Sequence, residues 1–128
     1  MTGKPNAVRV FKTAWFTKVA RKAGLKDDVP CDAIASVMLG QMDDLGGGVF
    51  KKRLNQNRHR AIILAKVGQH WIFEYLFAKQ DRANIEDDEL RAFRKLAAAY
   101  AALTGQHLED LVRNADLTEI CHDRHTAI

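Results

Sequence analysis

The chain is short of most residues that announce a chemistry. Among 128 residues there are only two cysteines, Cys31 and Cys121, far apart and without metal-type spacing. A reduced, cytoplasmic protein is therefore expected. No apolar run approaches the roughly 20 residues a membrane span needs. The opening "MTGKPNAVRVFK" has no apolar core and no small-residue cleavage site, so no signal peptide is expected. The run Gly46-Gly47-Gly48 fits neither the Walker nor the Rossmann pattern, which argues against a phosphate loop. Three glycines more simply allow a sharp approach to the next strand. Internal repeats and low-complexity segments are absent. Cys121, His122 and His125 look faintly like metal ligands, but "CHDRHTAI" reads more simply as a frayed tail.

What is present suits one globular domain spanning 1–128, with 47% apolar and 28% charged residues. The net charge is +4, unevenly spread. Residues 1–82 hold 15 Lys and Arg against 7 Asp and Glu, whereas residues 83–128 hold 5 against 9. A basic body with an acidic end implies an anionic partner for the first part, nucleic acid being the commonest.

The apolar periodicity predicts the elements. "VRVFKT" (8–13) alternates as a first strand. Thr13 caps a helix over about 14–24, with Phe16, Val19, Ala20 and Ala23 on its apolar face. Asp28 caps a second helix carrying Cys31, Ile34, Ala35 and Met38, with Pro30 tolerated in its first turn. "DDLGGG" reads as a turn. Next come three strands, "VFKKRL", "RHRAIILAKV" and "HWIFEYLFAK", joined by "NQN" and Gly68-Gln69. Joints this short force an antiparallel meander. Asp87 caps a long helix that Gly105 stops, and "QHLEDLVRNA" adds a short one. The expected fold is α+β, in the order β-α-α-β-β-β-α-α. A small, mostly antiparallel sheet carries an N-terminal helix pair and C-terminal helices.

The densest charge lies in "KKRLNQNRHR" (51–60), where six of ten side chains are Lys, Arg or His and none is acidic. Strand parity puts Lys51, Arg53 and Asn55 on one face, and Arg58 and Arg60 on one face of the next strand. The turn at 55–57 brings the two sets together. Like charges facing each other across strands are destabilising. A phosphate-binding surface accepts that cost because an anionic ligand relieves it; a solvated hairpin edge is the plainer alternative. His59 titrates near neutral pH but has the opposite parity. Tyr75 belongs with Trp71, Phe73 and Phe77 to an aromatic strand that is mostly core.

This order, with basic residues on the second and third strands, resembles the RelE/ParE superfamily of toxins from type II toxin–antitoxin modules. The HigB-like, RelE-type branch is the closer likeness. "VFKTAWF", "DLGGGVFKKRL", "RHRAIIL" and "EYLFAKQDRANIEDDEL" carry it, over roughly residues 8–104. Residues 105–120 read as a helical extension and 121–128 as the tail. The resemblance implies an endoribonuclease that cuts mRNA on the ribosome and inhibits translation, without metal or small-molecule cofactor. It also implies a cognate antitoxin, a small helix-turn-helix protein, and no membrane. Fold-mates of the ParE kind poison gyrase without catalysis, and an inactive binding module is a further alternative; the fold alone does not decide.

Self-cleavage of RNA by its 2′-hydroxyl needs a proton acceptor, charge stabilisation on the phosphorane and a proton donor for the 5′ oxygen. The family's lysine-x-lysine pattern falls on Lys51 and Arg53, its arginine on Arg60, and another basic position on Lys79. A further family arginine aligns with Gln80 and its C-terminal tyrosine with Glu86, so those two roles are open. His59 and Tyr75 join Lys51, Arg53 and Arg60 as catalytic candidates, and Lys79 is a third proton-transfer candidate if cationic neighbours lower its pKa. Lys52, Arg58, Lys79 and Arg82 are candidates for phosphate binding.

Overall fold

The computed structural model describes residues 8–66 and 70–121. The chain begins with strand β1, Arg9–Thr13, whose last side chain turns it into a helix. Thr13 Oγ1 accepts a hydrogen bond from the Phe16 amide at 3.0 Å and donates to the Glu74 carbonyl at 2.8 Å. One residue thus caps helix α1, Ala14–Lys22, and pins it to the sheet. Helix α2, Asp28–Met38, starts at Asp28 itself, and Asp27 reaches back to Lys12 at 2.7 Å.

Strands β2 (Asp43–Gly46), β3 (Val49–Leu54), β4 (His59–Lys66) and β5 (His70–Ala78) then form the meander. The segment "DDLGGG", expected as a turn, is mostly strand: β2 pairs with β3, and only Gly47 and Gly48 turn. Both have positive φ, 64° and 83°, as a two-residue hairpin with right-handed strand twist requires. The Gly68-Gln69 turn lies outside the described residues. Helices α3, Asp87–Ala101, and α4, Gly105–Arg113, follow. The cap of α3 is Glu86 rather than Asp87; its amide donates to Glu89 at 2.7 Å. Gly105 opens α4 rather than stopping α3, because Thr104 Oγ1 accepts from the His107 amide at 3.1 Å.

A last strand, β6 (Leu117–Ile120), pairs antiparallel with β1 where a helical extension was expected. Its four residues are too few for a readable period. Long-range partners settle it: Arg9 holds Glu119 through two hydrogen bonds of 2.8 and 2.9 Å, and Leu117 and Ile120 are buried. The expectation of reduced thiols also fails. Cys31 on α2 and Cys121 after β6 form a disulfide with Cα atoms 5.5 Å apart. Sequence separation hid this pairing. His122 and His125 lie outside the described residues.

The fold is α+β, as expected, with β2 and β6 added at the two edges. The sheet order is β2-β3-β4-β5-β1-β6; only the β1–β5 pair is parallel. One face packs Phe73, Leu76 and Ala61 against Phe16, Ala20 and Ile34 of α1 and α2. The other packs Ile62, Leu64 and Ile72 with Phe93, Ala97 and Leu108 of α3 and α4. Central β4 is therefore buried on both faces, which explains the unbroken "AIIL". Among the described residues no helix is long and apolar enough to cross a membrane.

Strand β5 contains a bulge. Ile62 faces Tyr75, but the next residue, Ile63, faces Phe73, leaving Glu74 as the extra residue. Glu74 is 6% exposed and its Oε1 has no hydrogen-bond partner among the described residues. Burial pushes its carboxyl up to about 7 from the ordinary 4.5, against an opposing hydrogen bond with Tyr100. The unfolded chain ionises this group near 4.5, whereas the folded chain keeps the proton until about 7. Its contribution to stability is then complete below pH about 4.5 and lost as the pH rises through about 7. Each pKa unit corresponds to about 1.4 kcal/mol. Glu74→Gln is expected to unfold at a higher temperature than wild type at pH 8, with the gap closing toward pH 4. Parallel melting curves across that range check this.

Candidate active site

The register of β3, β4 and β5 builds the site. Arg53 lies directly opposite Arg60, which lies opposite Phe77; Lys51 lies opposite Ile62, which lies opposite Tyr75. Opposed residues share a face, so Lys51, Arg53, Arg60, Tyr75 and Phe77 stand together on the α3 side. The bulge at Glu74 is what brings the aromatics there. Without it Tyr75 and Phe77 would share the α1 face with Trp71 and Phe73. Trp15 stacks on Tyr75 at 4.3 Å between centroids, and Phe93 lies at 6.0 Å.

The segment leaving β5 closes this face. Arg82 donates Nη1 to the Tyr75 hydroxyl oxygen at 3.3 Å, Nε to the Asn84 carbonyl at 3.0 Å, and forms a two-pronged ion pair with Glu89. Its guanidinium lies 5.5 Å from the Phe77 ring centre. The Arg82 hydrogen bond holds the Glu89 carboxyl below its ordinary range. Lys51 Nζ donates to Asn84 Oδ1 at 3.2 Å and lies 3.9 Å from Asp43. Arg60 bends to the Asn57 and His59 carbonyls at 3.0 and 3.2 Å. Neither Arg53 nor Arg60 has a carboxylate partner among the described residues. The face therefore presents two uncompensated guanidiniums side by side, one lysine, and a phenol whose oxygen is held by a third guanidinium.

The other candidates stand elsewhere. His59 opens β4 in regular register with Leu54 and Ala78, so it sits on the α1 side, away from Arg53 and Arg60. Its Nδ1 is 3.1 Å from Asn55 Nδ2. An amide NH₂ only donates, so Nδ1 accepts and the ring proton of the neutral form sits on Nε2. Burial, then Arg58, lowers its pKa below 6.5, partly offset by Asp81. Lys52 is also on the α1 side, opposite Ala61, and its Nζ donates to the Gln41 carbonyl at 2.8 Å. Arg58 lies in the turn and donates to Gln56 Oε1 at 2.7 Å; Lys79 is exposed at the end of β5.

A cleft of about 1060 Å³ opens where α1 approaches the β3–β4 turn and the end of β5. Its lining includes Lys22, Arg58, His59, Lys79 and Arg82. Sequence reading missed Lys22 and the Glu89 carboxylate. Both lie outside the basic stretch 51–60, Lys22 at the end of α1 and Glu89 in the first turn of α3. Among the described residues no three His, Cys, Asp or Glu side chains gather as a metal site.

A sheet packed between two helical layers, with a cationic cluster on the neighbouring strands β3 and β4, defines an α+β protein with a basic face on its α3 side. The family described as "RelE toxin of RelE / RelB toxin-antitoxin system" matches residues 8–120. The chain belongs to the RelE toxin family: it is a toxin of a toxin–antitoxin system, with a cognate antitoxin as its partner. No curated protein matches it.

Proposed function

We propose that this toxin is an mRNA endoribonuclease of the HigB-like kind that acts on the ribosome in the cytoplasm and arrests translation. Its antitoxin is a small helix-turn-helix protein. The observation that carries the reading is the directly opposed Arg53–Arg60 pair, with Lys51 on the same face and no carboxylate on either arginine among the described residues. Two like charges held across a strand pair are unfavourable by a few tenths to about 1 kcal/mol unless an anion joins them.

A scissile phosphate is that anion. The 2′-hydroxyl loses its proton to solvent as its oxygen attacks phosphorus, the P–O5′ bond breaks, the 5′ oxygen takes up a proton, and a 2′,3′-cyclic phosphate and a 5′-hydroxyl result. Lys51, Arg53 and Arg60 meet the charge that grows on the phosphorane oxygens. Tyr75 is the proton-moving candidate that shares their face. Its oxygen accepts from Arg82, which leaves its own O–H free to protonate the 5′ oxygen. Arg82 takes the place of the arginine missing at Gln80.

The test is primer extension on a reporter mRNA after brief induction, comparing wild type with the Lys51→Ala, Arg60→Ala double variant. New translation-dependent 5′ ends are expected in wild type and absent from the variant. Growth arrest with intact mRNA would overturn the nuclease reading and favour a gyrase poison.

A further inference from the structure

The cleft beside α1 holds chemistry that phosphate cleavage does not use. Its lining includes apolar side chains, Val19 from α1, Ala23 just after it and Leu76 from β5. Four cations line it, and three of them, Lys22, Arg58 and Lys79, have no carboxylate partner among the described residues. Asp81 is the single acid in the lining. His59 sits among them, its ring set by Asn55 in the form that offers Nε2–H as a donor.

The turn above it is unusual. Asn55, Gln56 and Asn57 all have positive φ, 53°, 54° and 72°. One such residue is common for asparagine, but three in a row without glycine store backbone strain. The strained turn sets Asn55 against His59 and carries Gln56 to Arg58. At about 1060 Å³ the cleft is at the upper end of small-ligand pockets, large enough for more than one nucleotide. Apolar lining side chains, a planar ring with a donor and unpaired cations match an unstacked base with its flanking phosphates.

We propose that this cleft is a base-reading subsite for single-stranded RNA: one unstacked base lies against His59, and Lys22, Arg58 and Lys79 hold the adjoining phosphates. Its role in choosing where mRNA is cut rests on the nuclease reading above; the binding itself does not. Tyr75 and Arg82 line the same cleft and belong to the cleavage face, so the strand read here continues toward the Arg53–Arg60 pair.

The experiment measures binding without cleavage. Fluorescently labelled 2′-O-methyl RNA tetramers of A, C, G and U are titrated with the full chain and anisotropy is read. Wild type is expected to prefer one base. His59→Ala is expected to bind the preferred tetramer about tenfold more weakly and to discriminate less. His59→Phe restores affinity by stacking but not the preference. Lys22→Ala with Arg58→Ala weakens all four tetramers alike, and the salt dependence of log K falls by about 0.7 per cation removed.

Equal binding of all four tetramers by wild type overturns the proposal. So does an unchanged affinity and preference in His59→Ala. Loss of cutting in that variant with unchanged tetramer binding also overturns it, by making His59 part of the reaction. Base-selective binding that depends on His59, in a toxin that leaves mRNA intact in cells, sustains the subsite and removes only the nuclease reading.

Discussion

Reducing the Cys31–Cys121 disulfide is expected to lower the stability of the toxin by about 4 to 5 kcal/mol. The bond joins residues 90 positions apart. In the chain-entropy account, opening a loop of that length frees the unfolded ensemble by about this amount. The location adds to the effect. Cys121 follows β6, a four-residue edge strand that is too short to stand alone. Its backbone is left-handed, with φ 69°, which a non-glycine residue adopts at a cost. Both cysteines pack against the core that contains Ile34 and Ile120. The disulfide therefore anchors β6 to α2 across the edge of β1. For a chain of this size the loss corresponds to roughly 15 °C in melting temperature. Wild type melted with and without a phosphine reductant, beside the Cys31→Ser, Cys121→Ser double variant, checks this. The variant should melt like reduced wild type and ignore the reductant. A wild type that also ignores it would mean that the thiols are not joined in solution.

The second large effect is kinetic. Arg60→Ala is expected to slow mRNA cleavage by about 10² to 10³, the usual loss when one pre-set stabiliser of transition-state charge is removed. Arg53→Ala separates site from scaffold. Arg53 is exposed, faces Arg60, and makes no hydrogen bond among the described residues through its side chain. Removing it relieves like-charge repulsion of a few tenths to about 1 kcal/mol. Its melting temperature should stay level or rise while cleavage on purified, programmed ribosomes falls about a hundredfold. A gain in stability with undiminished cleavage would reduce this basic pair to a solvated hairpin edge.

Much of this was legible without coordinates because it depends on local periods. The meander of β3 to β5, the α1 and α3 helices and the shared face of Lys51 and Arg53 follow from apolar spacing and strand parity. The turn at 55–57, needed to bring Arg60 opposite Arg53, could be read from its length. Recognisable motifs in "DLGGGVFKKRL" and "EYLFAKQDRANIEDDEL" carried the family.

The tertiary structure decided what depends on partners distant in sequence. Strands β2 and β6 are four residues each, too short for a period, and exist through pairing with β3 and β1. Cys31 and Cys121 meet because β6 ends beside α2. Arg82 reaches the site because the chain folds back after β5, two residues beyond the position where an arginine was expected. Above all, the bulge at Glu74 moves Tyr75 and Phe77 onto the cationic face. A strand pattern in sequence has period two, so one extra residue reverses every side chain beyond it. Nothing local in "HWIFEYLFA" marks where that residue lies; burial of Glu74 and its carbonyl's bond to Thr13 fix the place.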